Sequence, residues 1–212
     1  MIPSTHIAVV GGSGSGKTWL AEKLCAELGT RAARLSLDDF YRDLSHLGIA
    51  ARDKVNFDDP AAIDWESVRS VADTLARGEM AQVPIYDFTT HTRRPKARMF
   101  APSEIVVWDG LWLLHEKAVR VRFAWSVYVD CRESERLARR VARDVRERGR
   151  TEESIRLQYL NHVQPMHERF VEPQRDFANQ VLPSPATGAQ VVGLKEELLE
   201  RIRRQDPPPT MS

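Results

Sequence analysis

Short apolar runs alternate with amphipathic stretches along the chain, which is the pattern of a parallel β-sheet covered by helices. The apolar runs predict buried strands at 6–10, 32–37, 105–108, 124–129 and 180–182, and an extended segment at 82–86. The amphipathic stretches predict helices after residue 18 and at 59–78, 133–148, 151–162 and 194–204. We therefore expect an α/β fold, a parallel sheet of about five strands with helices on both faces.

A chain of 212 residues with no internal repeat and no linker indicates one domain. We place that domain at 1–205. The last seven residues, 206–212, contain three prolines and are expected to form a disordered tail.

Composition excludes several classes of protein. The formal net charge of +1 is not that of a polycation that coats nucleic acid or anionic membrane. The longest apolar stretches are interrupted by Asp109 and Gly110 and are far too short to span a membrane. Two cysteines cannot form a disulfide framework or a four-ligand zinc site. We expect a cytoplasmic protein.

The string GGSGSGKT follows the first predicted strand and opens a helix, as in the motif GxxxxGK[ST]. In such a loop the backbone N–H groups face phosphate oxygens, the lysine reaches the β- and γ-phosphates, and the last hydroxyl binds Mg²⁺. A merely glycine-rich turn would not explain Lys17 and Thr18. The predicted nucleotide-binding residues are Gly11, Gly12, Ser13, Gly14, Ser15, Gly16, Lys17 and Thr18.

Carboxylates follow two of the predicted strands. Asp38 and Asp39 come after the second strand, and Asp109 ends the run IVVWD. Ligands of α/β sheets bind beyond the carboxyl ends of strands, where a carboxylate can accept a hydroxyl proton or bind Mg²⁺. The alternatives are a helix N-cap for the first pair and a simple Asp-Gly turn for Asp109.

Arginines are concentrated in the helix predicted at 133–148. From 139 to 150 there are six arginines against two acids, and spacings of three and four place Arg136, Arg139, Arg140 and Arg143 on one face. This density is typical of a lid over a transferring phosphoryl group. A solvated face, or a surface for nucleic-acid phosphates, remains open on the pattern alone.

Seven strings together resemble the uridine kinase (uridine–cytidine kinase) family, a relative of phosphoribulokinase. They are GGSGSGKT, SLDDFYRD, NFDDPAAIDW, VPIYDFTTHTRR, VVWDG, RLARRVARDVRERGR and SIRLQYLNHVQPMHERFVEP, in order from about residue 6 to about residue 183. The resemblance implies a P-loop NTPase fold with an arginine-rich lid at about 139–160. It also implies ATP-dependent phosphorylation of uridine or cytidine at the 5′-hydroxyl, with ATP and Mg²⁺.

The resemblance also implies residue roles. The catalytic residues are Asp38, the base on the 5′-hydroxyl, and Lys17 and Arg143, which neutralise developing charge. Arg143 and Arg148 contact the ATP phosphates, and Thr18, Asp38 and Asp109 form the Mg²⁺ site. Asp58 binds the ribose hydroxyls with the help of Arg140. The residues that surround the base are Phe57, Tyr86, Phe88, His91, Arg150 and Gln158.

Three departures from the family pattern accompany this assignment. Asp109 stands where many members have Glu, Asp39 stands where Ser is frequent, and the segment 182–193 differs near the expected adenine side. The alternatives are a P-loop kinase of another small alcohol, such as a sugar phosphate or a pantothenate-like acceptor, and a nucleotide-dependent nucleic-acid-binding protein. We expect small-molecule substrates, no nucleic acid and no membrane, and the resemblance suggests a homo-oligomer.

Overall fold

The computed structural model describes residues 3–52 and 54–205, without the side chains of Glu147, Arg148 and Gln205. The tail predicted at 206–212 lies outside the described residues.

The strands alternate with helices as the apolar runs predict. They are β1 (Thr5–Gly11), β2 (Ala32–Ser36), β3 (Ala81–Val83), β4 (Tyr86–Asp87), β5 (Thr92–Arg93), β6 (Arg98–Phe100), β7 (Ile105–Gly110), β8 (Phe123–Asp130) and β9 (Gln180–Pro183). Five of them form one sheet in the order β2-β7-β1-β8-β9, and every pair in it is parallel. The prediction of a five-stranded parallel sheet is confirmed.

The prediction of one continuous extended segment at 82–86 is wrong. The segment is divided between β3 and β4, which belong to two small two-stranded antiparallel sheets, β3-β6 and β4-β5, outside the main sheet. Pro84 lies between them and has no N–H to donate to a strand partner. The second pair, β4–β5, is a hairpin that carries Tyr86 in its first strand and His91 in the turn just before its second strand.

The helices are α1 (Lys17–Leu28), α2 (Ile49–Arg52), α3 (Trp65–Ala76), α4 (Lys117–Arg120), α5 (Glu133–Arg148), α6 (Glu152–Gln158), α7 (Gln164–Met166) and α8 (Gly188–Gln205). The helix predicted at 59–78 begins later than expected. Asp59 caps only a 3₁₀ turn at Pro60–Ala62, Ile63 is extended and bridges to Tyr41, and Asp64 is the N-cap of α3, accepting from the Ser67 amide. The helix predicted at 151–162 continues beyond α6 as a π-helical segment, Tyr159–Val163.

Helices cover both faces of the sheet, as predicted. One face packs against α1 and α8 through leucines that include Leu20, Leu24 and Leu194. The other face packs against α3 and carries Trp108, which is fully buried and donates through Nε1 to His6 Nδ1 at 3.0 Å. None of the described helices has the length and apolarity required to cross a membrane.

Candidate active site

The phosphate-binding loop, residues 11–18 (the P-loop), connects β1 to α1 at the carboxyl edge of the sheet. Lys17 Nζ lies 3.5 Å from the Gly12 carbonyl oxygen, to which it donates. Burial lowers the pKa of Lys17, while Asp38 and Asp109 act in the opposite direction. The ammonium group therefore lies against the P-loop backbone and interacts electrostatically with two carboxylates, at a place where it can bind a phosphate.

Gly14 shows why this loop needs a glycine. Its φ is 79°, in the left-handed region, and a Cβ there would lie 2.5 Å from the Arg136 carbonyl oxygen. The start of α5 therefore packs directly on the P-loop. Arg136 is itself buried and donates through Nε to the Cys131 carbonyl at 3.1 Å.

Asp109 is buried at the end of β7, and each of its oxygens accepts a hydrogen bond. The Thr18 hydroxyl donates to Oδ2 at 2.8 Å, and Arg34 Nε donates to Oδ1 at 2.8 Å. The predicted partners Thr18 and Asp109 are therefore brought together. Arg34 was missed by the sequence analysis, because nothing in the string AARLS marks this arginine as a partner of a residue in another strand.

Asp38 lies in the 3₁₀ turn Leu37–Phe40 that follows β2, the strand next to β7. The two segments approach closely because residue 110 is glycine: a Cβ there would lie 2.4 Å from the Leu37 Cβ. Asp39, the neighbouring acid, forms an ion pair with Arg98, with Nη2 at 2.9 Å from Oδ2. Burial raises the pKa of Asp39, although Arg98 opposes this effect.

The four aromatic residues predicted to surround a base form one cluster. Phe57 and His91 stack with centroids 4.2 Å apart, and Tyr86 and Phe88 meet edge to face at 5.1 Å. The Tyr86 hydroxyl lies 3.4 Å from His91 Nδ1. Burial raises the pKa of Tyr86 to about 12, so its hydroxyl is protonated at neutral pH and can donate.

Tyr41 joins this cluster and was not predicted. It is buried, its ring contacts Phe57, Tyr86 and Phe88, and its hydroxyl donates to the Phe57 carbonyl at 3.0 Å. The signal was available, since Tyr41 stands two residues after Asp39 in the string SLDDFYRD. Arg93 fastens the hairpin to this segment by donating to the carbonyls of Tyr41 and Phe40.

Arg140 connects the P-loop with the predicted ribose and base residues. Its Nη1 donates to Ser13 Oγ at 3.0 Å and lies 3.8 Å from Asp58 Oδ1, and its Nη2 donates to Gln158 Oε1 at 3.2 Å. Only 6% of this side chain is exposed, so α5 is not a fully solvated arginine face. Arg150 also donates to Gln158 Oε1.

The outer arginines of α5 differ in their contacts. Arg143 pairs with the buried Asp144 at 2.8 Å, and its charge opposes protonation of Lys17. Arg139 donates to the Gly14 carbonyl at 3.3 Å and to Ser184 Oγ at 2.8 Å. The side chain of Arg148, a predicted phosphate ligand, lies outside the described part of the chain.

A cavity of about 230 Å³ borders Gly12 on the side of α5 and is lined by Arg136 and His167 among others. The aromatic cluster does not line it. His167 is mostly buried, and burial, reinforced by Arg136 and Lys17, lowers its pKa to about 4. The imidazole is therefore neutral at neutral pH.

Comparisons with known proteins show the family and the fold of the chain. The model of the Phosphoribulokinase / Uridine kinase family matches residues 6–189. The chain is 42% identical over 178 residues to a uridine kinase of Deinococcus deserti, covering 84% of this chain and 86% of the relative. It is 36% identical to a uridine kinase of Halobacterium salinarum, covering 93% and 88%. The solved phosphoribulokinase of Rhodobacter spheroides superimposes with a TM-score of 0.63 at 16% identity, covering 84% and 71%, a likeness of fold.

Proposed function

The chain belongs to the phosphoribulokinase/uridine kinase family, and on this premise we propose that it transfers the γ-phosphoryl group of ATP to the 5′-hydroxyl of uridine or cytidine. The proposed substrates are the nucleoside and ATP. Both cysteines are free thiols, which supports the proposed cytoplasmic location. The homo-oligomer stays a prediction.

One observation carries the choice of acceptor: Arg140 joins the P-loop to Asp58, the residue that follows Phe57 of the aromatic cluster in the chain. Rings at Phe57, Tyr86 and His91 favour a flat base, and Asp58 beside them can accept hydrogen bonds from ribose hydroxyls. Arg140 contacts both Asp58 and Ser13. A nucleoside bound here would therefore point its sugar toward the phosphate site.

We assign the general base to Asp38. It follows β2 at the carboxyl edge of the sheet, close enough to Lys17 for their charges to interact, whereas Asp39 is engaged by Arg98. A carboxylate at this place can accept the 5′-hydroxyl proton as the oxygen attacks the γ-phosphorus. Lys17 and Arg143 supply positive charge to the phosphoryl oxygens.

The residues at the P-loop fit a magnesium ion. Mg²⁺ in phosphoryl-transfer sites is bound by one or two protein oxygens together with phosphates and water. Such a site does not require three or more His, Cys, Asp or Glu residues around the ion, and the described residues form no group of that kind. The Thr18 hydroxyl donates its hydrogen to Asp109 Oδ2, so the lone pairs of its oxygen can coordinate a cation. Thr18, Asp38 and Asp109 would hold the ion. When bound, Mg²⁺ neutralises charge on the β- and γ-phosphates.

Residues of α5 would also protect the reaction from water. Arg136 and Arg140 are buried where α5 meets the P-loop, and Gln158 of α6 is held by Arg140 and Arg150. Because the same groups would otherwise promote ATP hydrolysis, covering the γ-phosphate is part of the proposed mechanism. The burial of these arginines does not favour the alternative in which α5 binds nucleic-acid phosphates.

A coupled ADP-release assay with a panel of acceptors tests the proposal. We expect turnover with uridine and cytidine, poor turnover with adenosine, and none with ribulose 5-phosphate or pantothenate, each measured with ATP and with GTP. Turnover with a sugar phosphate and none with a pyrimidine nucleoside would refute the acceptor assignment and leave the kinase assignment standing. ATP binding without stimulation by any acceptor would refute both.

A further inference from the structure

The Asp109 carboxylate is held from two sides by residues of different elements. Thr18 of α1 donates to Oδ2 and Arg34 of β2 donates to Oδ1, each at 2.8 Å. Asp109 is 2% exposed, so its oxygens have little access to bulk water. Its orientation is therefore determined by these two donors.

Arg34 reaches this position because of the sheet register. It is paired with Val107 in the neighbouring strand, two residues before Asp109. Successive side chains of a strand alternate between faces, so residues 107 and 109 share a face of the sheet. Leu35 packs on the opposite face with α3, which leaves Arg34 on the face of α1. There it also approaches Glu22 of α1, with Nη1 at 3.6 Å from Oε1.

On the basis of the proposed function, we propose that Arg34 is a positioning residue for phosphoryl transfer. By holding Oδ1 of Asp109, Arg34 orients Oδ2 toward Thr18. By its positive charge, Arg34 lowers the affinity of the nucleotide-free site for a divalent cation.

Two physical effects follow from one guanidinium. The first is geometric, because an Nε–H bond to one oxygen restricts rotation of the carboxylate, and a loosely oriented carboxylate places the Thr18 hydroxyl less well. The second is electrostatic, because a fixed positive charge beside Asp109 opposes a second cation at the same carboxylate. The nucleotide phosphates would offset that opposition by adding negative charge, so a divalent cation would bind more tightly in the presence of ATP.

The variants Arg34→Lys and Arg34→Gln separate the two effects. Lysine keeps the charge but lacks the planar guanidinium, and glutamine removes the charge. The matched controls are Glu22→Gln, which removes the other partner of Arg34, and Arg31→Gln, which removes an exposed arginine paired with Glu104. Circular dichroism and Tm establish that each variant is folded.

Two measurements are made on each variant. The first is kcat and KM for uridine or cytidine at saturating MgATP, and the second is Mn²⁺ affinity without nucleotide, by titration calorimetry. We expect kcat about tenfold lower in both Arg34 variants, the scale of losing a residue that orients a metal ligand, with little change in KM. Mn²⁺ binding should tighten severalfold in Arg34→Gln and stay unchanged in Arg34→Lys.

Unchanged kcat and unchanged Mn²⁺ affinity in Arg34→Gln would overturn the proposal, and so would the same changes in Glu22→Gln or Arg31→Gln. If Arg34→Gln does not fold, Arg34→Lys decides, because the proposal requires its kcat to fall at constant Mn²⁺ affinity. Absence of pyrimidine phosphorylation in the unmodified enzyme would instead refute the proposed function. The Mn²⁺ titration of nucleotide-free protein would still test the charge of Arg34.

Discussion

Arg140 donates a hydrogen bond to Ser13 across 3.0 Å, although 127 positions separate the two residues in the chain. The same guanidinium approaches Asp58 and donates to Gln158. One side chain therefore contacts the nucleotide loop and the proposed nucleoside site together. A change at this position should affect both substrates.

We predict that Arg140→Lys raises the Michaelis constants of both ATP and uridine. Lysine retains the charge, but its single nitrogen cannot serve Ser13, Asp58 and Gln158 from three directions as a planar guanidinium does. Steady-state kinetics with each substrate varied in turn provides the measurement. Arg132→Lys is the control, because residue 132 is exposed at the start of α5. An effect on only one of the two constants would contradict the bridging role.

Asp38→Asn should lower turnover about a hundredfold or more, which is the usual scale for loss of a general base. Asp39→Asn should cost less, because Asp39 is engaged in an ion pair with Arg98. Because the two substitutions are the same chemical change at adjacent positions, each serves as the control for the other. A larger loss of kcat for Asp39→Asn would show that the base has been misassigned by one residue.

Features that are local in sequence could be predicted, and features that depend on distant pairing could not. The five strands of the sheet are short and mostly apolar runs, and the P-loop is one contiguous string, so both are visible without a structure. The contact between Arg34 and Asp109 joins residues 75 positions apart and depends on the register of β2 against β7. A single arginine in a short strand gives no sign of that register.

The same reasoning explains two errors of detail. Asp59-Pro60 satisfies the local criteria for the start of a helix. However, Ile63 forms an antiparallel β-bridge with Tyr41, and the helix α3 begins only after its N-cap, Asp64. The segment expected to be extended at 82–86 is divided, because β3 pairs with β6, which lies beyond the β4–β5 hairpin in the chain, whereas β4 pairs with β5. Long-range packing decides both cases.

Lowering the pH should destabilise the protein partly through His6 and His167. Burial lowers the pKa of both, to about 4 for His167, below the ordinary value of 6.5. A histidine with a depressed pKa in the folded state stabilises the fold fully above pH 6.5, and that contribution is lost as the pH falls toward the folded-state pKa. The unfolded chain binds the proton first, so unfolding becomes easier.

His167→Gln isolates one of these contributions, because glutamine does not titrate. We predict that the free energy of unfolding, measured in urea at pH 7 and at pH 5, falls less between the two values in His167→Gln than in the unmodified protein. His46→Gln, at an exposed loop position, is the control and should fall as much as the unmodified protein. Equal falls in all three proteins would contradict the buried neutral state of His167.

The last prediction concerns recognition of the base by His91. Its imidazole stacks on Phe57 at 4.2 Å and its Nδ1 lies 3.4 Å from the Tyr86 hydroxyl, so both a face and an edge of the ring take part in the aromatic cluster. The backbone there has a φ of 53°, in the left-handed region, where alanine would be strained but glycine and asparagine are tolerated.

His91→Gly therefore removes the ring without adding backbone strain, and His91→Asn keeps a polar edge. We predict that His91→Gly raises the KM of uridine and cytidine at least tenfold and leaves the KM of ATP nearly unchanged, because losing a hydrogen bond and a stacked ring costs on the order of 1–3 kcal/mol. His91→Asn should recover part of the loss. His115→Gly, at an exposed histidine outside the cluster, tests for general effects. Equal rises for ATP and the nucleosides would place His91 outside the base pocket.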